Sequence, residues 1–452
     1  MKHSFTTQNN CTCTRATQKT ILIWIVSFFA LTAAELFLLS VVSLIPRSAI
    51  QKHAQESAVY FMKRPVFYRV LENDPASNID HYADAILLNV LYYYDAEHPF
   101  ASPLKASYYY TSTHNENTNL YTAVTSDAEP TYDYFRYWHG SAVLIRPLLT
   151  IFNIQQIYIV FAIVLAGLLA ALVTMLAKSG HAFCIWGILT ALISVSFCYI
   201  PMSLEYIWCF FIMLLASILT LSIYKKKKGL SGLFFLLIGN ITAYFDFLTT
   251  EMITLLVPLA LLLIFMYEND QLKDVRTGFR IIFSRSICWG IGYLSAWIAK
   301  WSITSITLHR NIFKEAISSA SVRVNGNASD LHGISLAINA LLRNIACLFP
   351  FNYVKNHGYA VSIGVFVLLF MIYYLFRKSE KKNFMPWLFM ALYCIPYIRF
   401  LILANHTFLH YFFTYRALFA SIFCLCMIFY YGIDRKLVSK SFSTRKRKKR
   451  TR

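Results

Sequence analysis

Long apolar stretches determine what this chain can fold into. Of its 452 residues, 57% are hydrophobic and 14% are charged, a balance typical of membrane proteins. A helix needs about 20 apolar residues to cross a bilayer. We predict a transmembrane helix in each of ten stretches: 21–45, 153–177, 182–203, 206–224, 230–248, 252–267, 286–308, 358–376, 384–403 and 408–433. The sequence therefore predicts an all-α, polytopic integral membrane protein with about ten transmembrane helices.

Basic residues orient these helices. Lysine and arginine concentrate in alternate connections and in the tail: 225–228, 273–285, 377–382 and 445–452. The positive-inside rule puts these connections and both termini in the cytoplasm. We expect the basic run in the tail to bind anionic lipids rather than nucleic acid.

Two polar segments then lie outside. The larger, 46–152, contains 11 of the chain's 22 Asp and Glu. The smaller, 309–357, is basic, and its stretch 334–351 is amphipathic enough to form an interfacial helix. The predicted organisation is a cytoplasmic N-terminus (1–20), a first span (21–45), a large external loop (46–152), spans two to seven (153–308), a basic external loop (309–357), spans eight to ten (358–433) and a cytoplasmic polybasic tail (434–452).

Two acidic residues open a predicted helix in the large external loop. Asp80 and Asp84 precede a run of Ala, Ile and Leu and are four residues apart, so they would share one helix face. Such a pair can act as a general base with an orienting partner, or can jointly hold a divalent cation. The structural alternative is that Asp80 only caps the helix while Asp84 is solvated.

Seven further polar residues stand near the ends of predicted spans, where ionisable groups are energetically expensive. The predicted orientation puts all of them at the outside face: His139, Arg146, Asp246, Glu251, His406, His410 and Arg416. A cluster gathered from such distant segments indicates a functional site. Because histidine and arginine can bind phosphate oxygens, we assign these residues to substrate binding.

Some of these residues also have a structural explanation. Arg146 can reach lipid headgroups from the interface. Asp246 can cap the helix that follows it. Arg416 stands inside the last predicted span and needs an anionic partner, for which Asp246, Glu251 or a bound phosphate are candidates.

No protein metal site is predicted from cysteine and histidine. The ten cysteines lie mostly inside spans, where cysteine is a small apolar side chain, and they form no compact cluster with histidine. His406 and His410 are four residues apart, but no glutamate stands beside them in the zincin pattern. A divalent cation on Asp80 and Asp84 is the remaining alternative.

The large external loop resembles that of the GT-C superfamily, polytopic glycosyltransferases that use lipid-phosphate-linked sugars as donors. In that superfamily the first external loop directly follows the first span, contains interfacial helices and supplies a catalytic acid. The stretch Asp80-His-Tyr-Ala-Asp84 occupies that place here. Many members carry adjacent acids in this loop, whereas these two are four residues apart.

The resemblance implies a GT-C-like fold and a reaction. The donor would be a polyprenyl-phosphate sugar and the acceptor a glycan or lipid of the cell envelope, at a bacterial plasma membrane. Asp80 or Asp84 would be the base of an inverting direct displacement. The leaving phosphate would be stabilised by Arg146, His406, His410 and Arg416, and an arginine or the sugar hydroxyls would be held by Asp246 and Glu251.

Two other functions stay open at this point. A transporter or flippase of lipid-linked saccharides would need polar residues at the membrane midplane and repeat symmetry, whereas the polar residues here stand at one face. A polymerase or ligase of lipid-linked saccharides usually has its large external loop late in the chain, whereas the largest predicted loop here is the first.

Overall fold

Helices make up most of the computed structural model, which describes residues 5–72, 74–225, 231–326, 331–348, 358–377 and 383–434. Six described helical segments are long and apolar enough to cross a membrane: Gln18–Ser43 (the end of the helix Phe5–Ser43), Ile154–Lys178, Ile207–Lys225, Val275–Leu308, Met385–Ile402 and Tyr411–Gly432. The chain is thus a multi-pass, predominantly helical membrane protein, as predicted. The predicted lipid-binding tail, 434–452, lies outside the described residues apart from its first position.

The other four predicted spans coincide with apolar helices that are shorter or less completely described. These are Ala182–Ser194, Gly232–Phe245, Met252–Glu268 and Gly358–Phe376. The first of them ends early because Ser196 adopts a left-handed conformation, with φ of 52°, and a 3₁₀ helix follows at Phe197–Met202. The count of ten membrane crossings therefore stays a prediction.

Particular side chains explain where one of these helices begins and why two others can pack closely. The helix Ile154–Lys178 begins at a capping box, in which the Asn153 side chain accepts from the backbone N–H of Gln156 and the Gln156 side chain accepts from that of Asn153. The helices Gly232–Phe245 and Val275–Leu308 cross at Gly239 and Gly292, where an added Cβ would overlap a backbone carbonyl of the other helix. Small residues permit this close approach of two membrane helices.

The segment between the first two long helices, residues 46–152, folds into short elements that we call the first loop. Its helices are Arg47–Met62, His81–Tyr92, Ala101–Lys105, Glu116–Thr125 and Ala142–Leu149, with a 3₁₀ helix at Pro75–Ser77. It also contains two antiparallel strand pairs, Phe67–Arg69 with Asn78–Asp80 and Ser107–Tyr108 with Tyr132–Asp133. The prediction of an all-α fold is therefore wrong within this loop. Backbone N–H and C=O groups between its helices need hydrogen-bond partners, and the short strand pairs supply them.

The second loop, residues 309–357, contains two described helices, Ile312–Asn325 and Gly333–Ala346. The second of these overlaps the amphipathic stretch 334–351 of the predicted interfacial helix. The last long segment is broken near its start into Ala404–Leu409, Tyr411–Thr414, a 3₁₀ helix at Tyr415–Ala417 and Leu418–Gly432. Both loops and this broken segment meet at one cavity.

Candidate functional site

A cavity of about 390 Å³ gathers polar side chains from the first loop, the second loop and the broken last segment. This volume lies within the range of roughly 300–1,000 Å³ that is usual for ligand pockets. Besides three tyrosines, its ionisable lining consists of three acids, two arginines and three histidines: Asp80, Asp84, Glu205, Arg136, Arg323, His139, His406 and His410. Five of the nine predicted site residues are therefore brought together, although they are scattered over more than 300 positions of sequence.

Asp80 begins the helix His81–Tyr92, as the sequence predicts. Its Oδ1 accepts a hydrogen bond from the backbone N–H of Ala83 at 2.9 Å, and the residue is only 3% exposed. Burial raises the pKa of its carboxyl to about 6, while the Ala83 amide and a hydrogen bond with the Glu205 side chain oppose that rise. Capping is thus one role of Asp80, and the same carboxyl also faces a second acid in the cavity.

Asp84 is buried and holds a turn of the membrane domain. It accepts hydrogen bonds from the Tyr158 hydroxyl at 2.5 Å, the Ser203 hydroxyl at 3.1 Å and the Leu204 backbone N–H at 2.9 Å. The alternative that Asp84 is solvated is therefore wrong. Burial raises the pKa of its carboxyl to about 7. Its contacts make Asp84 a positioning residue for the turn at residues 203–206, which we call the Glu205 turn.

Glu205 is a cavity residue that the sequence analysis missed. It lies between the 3₁₀ helix Phe197–Met202 and the helix Ile207–Lys225, and its carboxyl contacts that of Asp80. Burial and the negative charge of Asp80 raise the pKa of Glu205 well above its ordinary value. A simple pattern pointed to it, because it is the one acidic residue between Asp133 and Asp246. A lone acid between apolar spans is costly unless it is paired or functional.

Two arginines give the cavity its positive charge. Arg323, from the helix Ile312–Asn325, donates to the Tyr137 hydroxyl at 2.6 Å and the Ser319 carbonyl at 3.0 Å. Arg136, from the first loop, donates to the Ser319 hydroxyl at 3.1 Å. The Nε atoms of both arginines are buried with no hydrogen-bond partner among the described residues. Each guanidinium is therefore held in place at the cavity wall, where its positive charge can attract a bound anion.

Three histidines complete the polar lining. His139 adopts a left-handed backbone conformation, with φ of 56°, and its Nε2 donates to the Tyr134 carbonyl at 3.0 Å. Burial lowers the pKa of its ring to about 3, so the ring is neutral and Nδ1 is an acceptor. The His406 and His410 rings lie 4.7 Å apart, as their spacing predicts. No Nδ1 atom of the three has a partner among the residues that the structure describes.

Two predicted site residues serve the scaffold and do not line the cavity. Arg146 donates to the Ile45 carbonyl at 2.7 Å and the Tyr94 carbonyl at 3.0 Å, joining the end of the first helix to the first loop. Asp246 accepts from the Leu248 N–H at 2.8 Å and the Thr249 N–H at 3.0 Å. Asp246 was assigned to substrate binding, but it does not line the cavity, because this turn uses its carboxyl.

Arg416 does not pair with Asp246 or Glu251, the two acids that the sequence offered as its partners. Glu251 forms a buried, two-pronged ion pair with Arg399, at 2.8 and 3.2 Å, so it is not available to Arg416. Arg416 donates instead to the carbonyls of Phe412 and Ala76, each at 3.1 Å, and lies over the Tyr206 ring. Neither Glu251 nor Arg416 lines the cavity, but Arg416 packs directly behind the Glu205 turn.

No three His, Cys, Asp or Glu side chains in the described ranges lie close enough to share a metal ion. The divalent cation considered for Asp80 and Asp84 remains a prediction. Comparison of the chain with protein-family models, with curated proteins and with solved structures found no match. The chemistry of the cavity is therefore the basis for a functional conclusion.

Proposed function

We propose that the protein is a membrane glycosyltransferase that moves a sugar from a polyprenyl-phosphate donor to a glycan or lipid acceptor. The observation that carries this proposal is the contact between the buried Asp80 carboxyl and the half-buried Glu205, in one cavity with two arginines. Glycosyl transfer from a lipid phosphate needs both a base for the acceptor and positive charge for the leaving group. We further propose the plasma membrane of a bacterium as the setting, with both termini in the cytoplasm.

In the proposed reaction, an acceptor hydroxyl oxygen attacks the anomeric carbon while its proton passes to the Asp80 carboxylate. The bond between the anomeric carbon and the phosphate oxygen breaks, and its electron pair leaves with the phosphate. Direct displacement inverts the anomeric configuration. A positioned base typically contributes about 10²–10⁴-fold to such a rate.

The leaving phosphate gains negative charge as the bond breaks, and Arg136 and Arg323 supply the compensating donors. His139, His406 and His410 are suited to hydrogen bonds with sugar hydroxyls. The cavity wall also includes exposed apolar side chains, with Val322 at 57% and Leu409 at 44% exposure. An apolar opening of this kind favours a substrate that carries a lipid chain over a soluble nucleotide sugar.

Replacing either cavity arginine tests the assignment of the leaving-group site. We expect Arg323→Gln and Arg136→Gln to lower sugar transfer by roughly 10²–10³-fold, as loss of one charge-stabilising donor usually does. The measurement is the initial rate of polyprenyl-phosphate release by purified protein. Arg310→Gln is the matched control, because Arg310 is half-exposed in the same loop and pairs with Glu315 outside the cavity. Unchanged rates in both cavity variants would contradict the assignment.

The acid groups predict how the rate depends on pH. The pKa values of Asp80 and Asp84 are raised by burial to about 6 and about 7. A base must be ionised to accept a proton, so transfer is expected above this range and is lost as the pH falls through it. The inflection belongs to the carboxyl cluster as a whole. An initial-rate profile that stays flat down to about pH 5 would exclude a carboxylate base of this kind.

A further inference from the structure

We propose that Asp80 and Glu205 act as one proton-sharing pair, in which Glu205 keeps the proton and Asp80 stays ionised as the base. The catalytic part of this inference rests on the proposed glycosyl transfer, whereas the shared proton does not. Glu205 is then a positioning residue that acts through Asp80.

Hydrogen bonds on both sides fix the two carboxyls against each other. Asp80 stands at the start of the helix His81–Tyr92, and one turn later Asp84 binds the Ser203 hydroxyl and the Leu204 N–H. The Glu205 N–H donates to the Ser203 hydroxyl at 3.3 Å, and the Tyr206 hydroxyl donates to the Asn78 carbonyl at 3.4 Å. The four-residue spacing of the two aspartates thus has a structural reason. Asp84 holds the Glu205 turn, and Asp80 contacts Glu205 itself.

Two carboxyls in contact inside a protein cavity cannot both remain ionised without a strong counter-charge. The described part of the chain has no salt bridge to Asp80 or Glu205. The charged and titratable groups around the pair, in the cavity and directly behind it, are Tyr82, Asp84, Arg136, His139, Tyr158, Tyr206, Asp246, Arg323, His406, His410 and Arg416. Of the acids among them, Asp84 and Asp246 add negative charge and favour a proton in the pair.

The contacts also decide which carboxyl holds the proton. Asp80 accepts the Ala83 N–H at a helix N-terminus, where backbone dipoles stabilise negative charge. Glu205 has no comparable donor, and its Oε2 is buried with no partner among the described residues. An ionised Glu205 would be uncompensated, whereas a protonated Glu205 donates to Asp80. The proton therefore belongs on Glu205, and its hydrogen bond helps to keep the buried Asp80 ionised.

The proton balance of a turnover follows directly. Before reaction the pair carries one proton, on Glu205, and one negative charge, on Asp80. When the acceptor oxygen bonds to the anomeric carbon, the acceptor proton passes to Asp80 and the phosphate leaves with the electron pair of the broken bond. Both carboxyls are then protonated, and loss of one proton to water restores the starting state.

The first test compares pH–rate profiles of Glu205→Gln and Glu205→Leu with wild type. Glutamine keeps a donor toward Asp80, so we expect activity within about tenfold of wild type and an unchanged acid limb. Leucine has a similar volume and no donor, so the pKa of Asp80 should rise. The acid limb of the pH–rate profile should then shift to higher pH by about one to two units. A residue that only fills space would leave the acid limb of Glu205→Leu where wild type has it, and that result would overturn the proposal.

The second test does not depend on activity. Infrared difference spectra between wild type and Glu205→Gln report whether the Glu205 carboxyl is protonated. We expect a protonated-carboxyl band of wild type at neutral pH that the variant lacks. A Glu205 that is ionised at neutral pH would overturn the pair. The expected band in a protein that consumes no sugar donor would uphold the pair as a proton site and count against the glycosyltransferase proposal alone.

Discussion

Asp80→Asn is expected to lower sugar transfer by roughly 10²–10⁴-fold while leaving the fold intact. The loss follows from the base role, because an amide cannot accept the acceptor proton and a positioned base contributes about that factor. The fold should survive because asparagine is as good a helix N-cap as aspartate. Its side-chain oxygen can still accept from the Ala83 N–H, which binds Asp80 at 2.9 Å. The measurement is the initial rate of transfer by purified protein, with thermal stability checked in the same detergent.

The matched control for this variant is Asp95→Asn in the same loop. Asp95 is partly exposed, pairs with His98 and lies outside the cavity, so its replacement should leave the transfer rate unchanged. Asp84→Asn is a second comparison, because Asp84 holds the Glu205 turn through two donors, the Ser203 hydroxyl and the Leu204 N–H, and also binds the Tyr158 hydroxyl. We expect that variant to lose stability as well as activity. A fully active Asp80→Asn protein would remove the base from the proposed reaction.

Glu251→Gln and Arg399→Met are each expected to lower the free energy of unfolding by about 3–5 kcal/mol. Removing one partner of a buried ion pair leaves the other charge uncompensated. The two side chains are only 3% and 4% exposed, and their atoms are 2.8 Å apart. Arg399 also donates to the Leu248 carbonyl at 2.6 Å, so it joins the helix Met385–Ile402 to the turn beyond Phe245. The measurement is reversible unfolding in mixed micelles.

Two comparisons make the stability prediction specific. The double variant Glu251→Gln/Arg399→Met should be less destabilised than the sum of the single variants, since no lone charge remains buried. Glu315→Gln breaks an exposed pair with Arg310, in which the side chains are 39% and 49% exposed. Its effect should stay within about 1 kcal/mol. A Glu251→Gln effect as small as that of Glu315→Gln would show that the buried pair does not hold these segments together.

The parts of the site that local patterns determine could be predicted from the sequence. The helix that begins at Asp80 and the closeness of His406 and His410 both follow from spacings of a few residues. A structural role for Asp246 was also visible locally, although its carboxyl holds the turn at Leu248 and Thr249 and does not cap the helix Met252–Glu268 as the structural alternative had it. These features depend on hydrogen bonds and turns within one short segment, which is the range over which sequence patterns act.

The parts that depend on pairing between distant segments could not be predicted. Arg399 lies inside an apolar stretch and Glu251 stands 148 positions earlier, so nothing local selects that pair over Glu251 with Arg416. Arg323 was visible as part of a basic loop, but its entry into the cavity depends on how the helix Ile312–Asn325 packs. Glu205 was detectable as an isolated acid, whereas its contact with Asp80 depends on the turn that Asp84 holds.

The most direct test of the proposed function is donor turnover by the purified wild-type protein in detergent. A panel of polyprenyl-phosphate sugars would be offered with lipid and glycan acceptors, and release of free polyprenyl phosphate would be followed by chromatography. We predict that at least one donor is consumed, that its sugar appears on an acceptor with inverted anomeric configuration, and that Asp80→Asn lowers both rates by roughly 10²–10⁴-fold. A protein that leaves every donor intact, yet moves lipid-linked saccharides across the bilayer of liposomes, would contradict the glycosyltransferase proposal and identify a transporter.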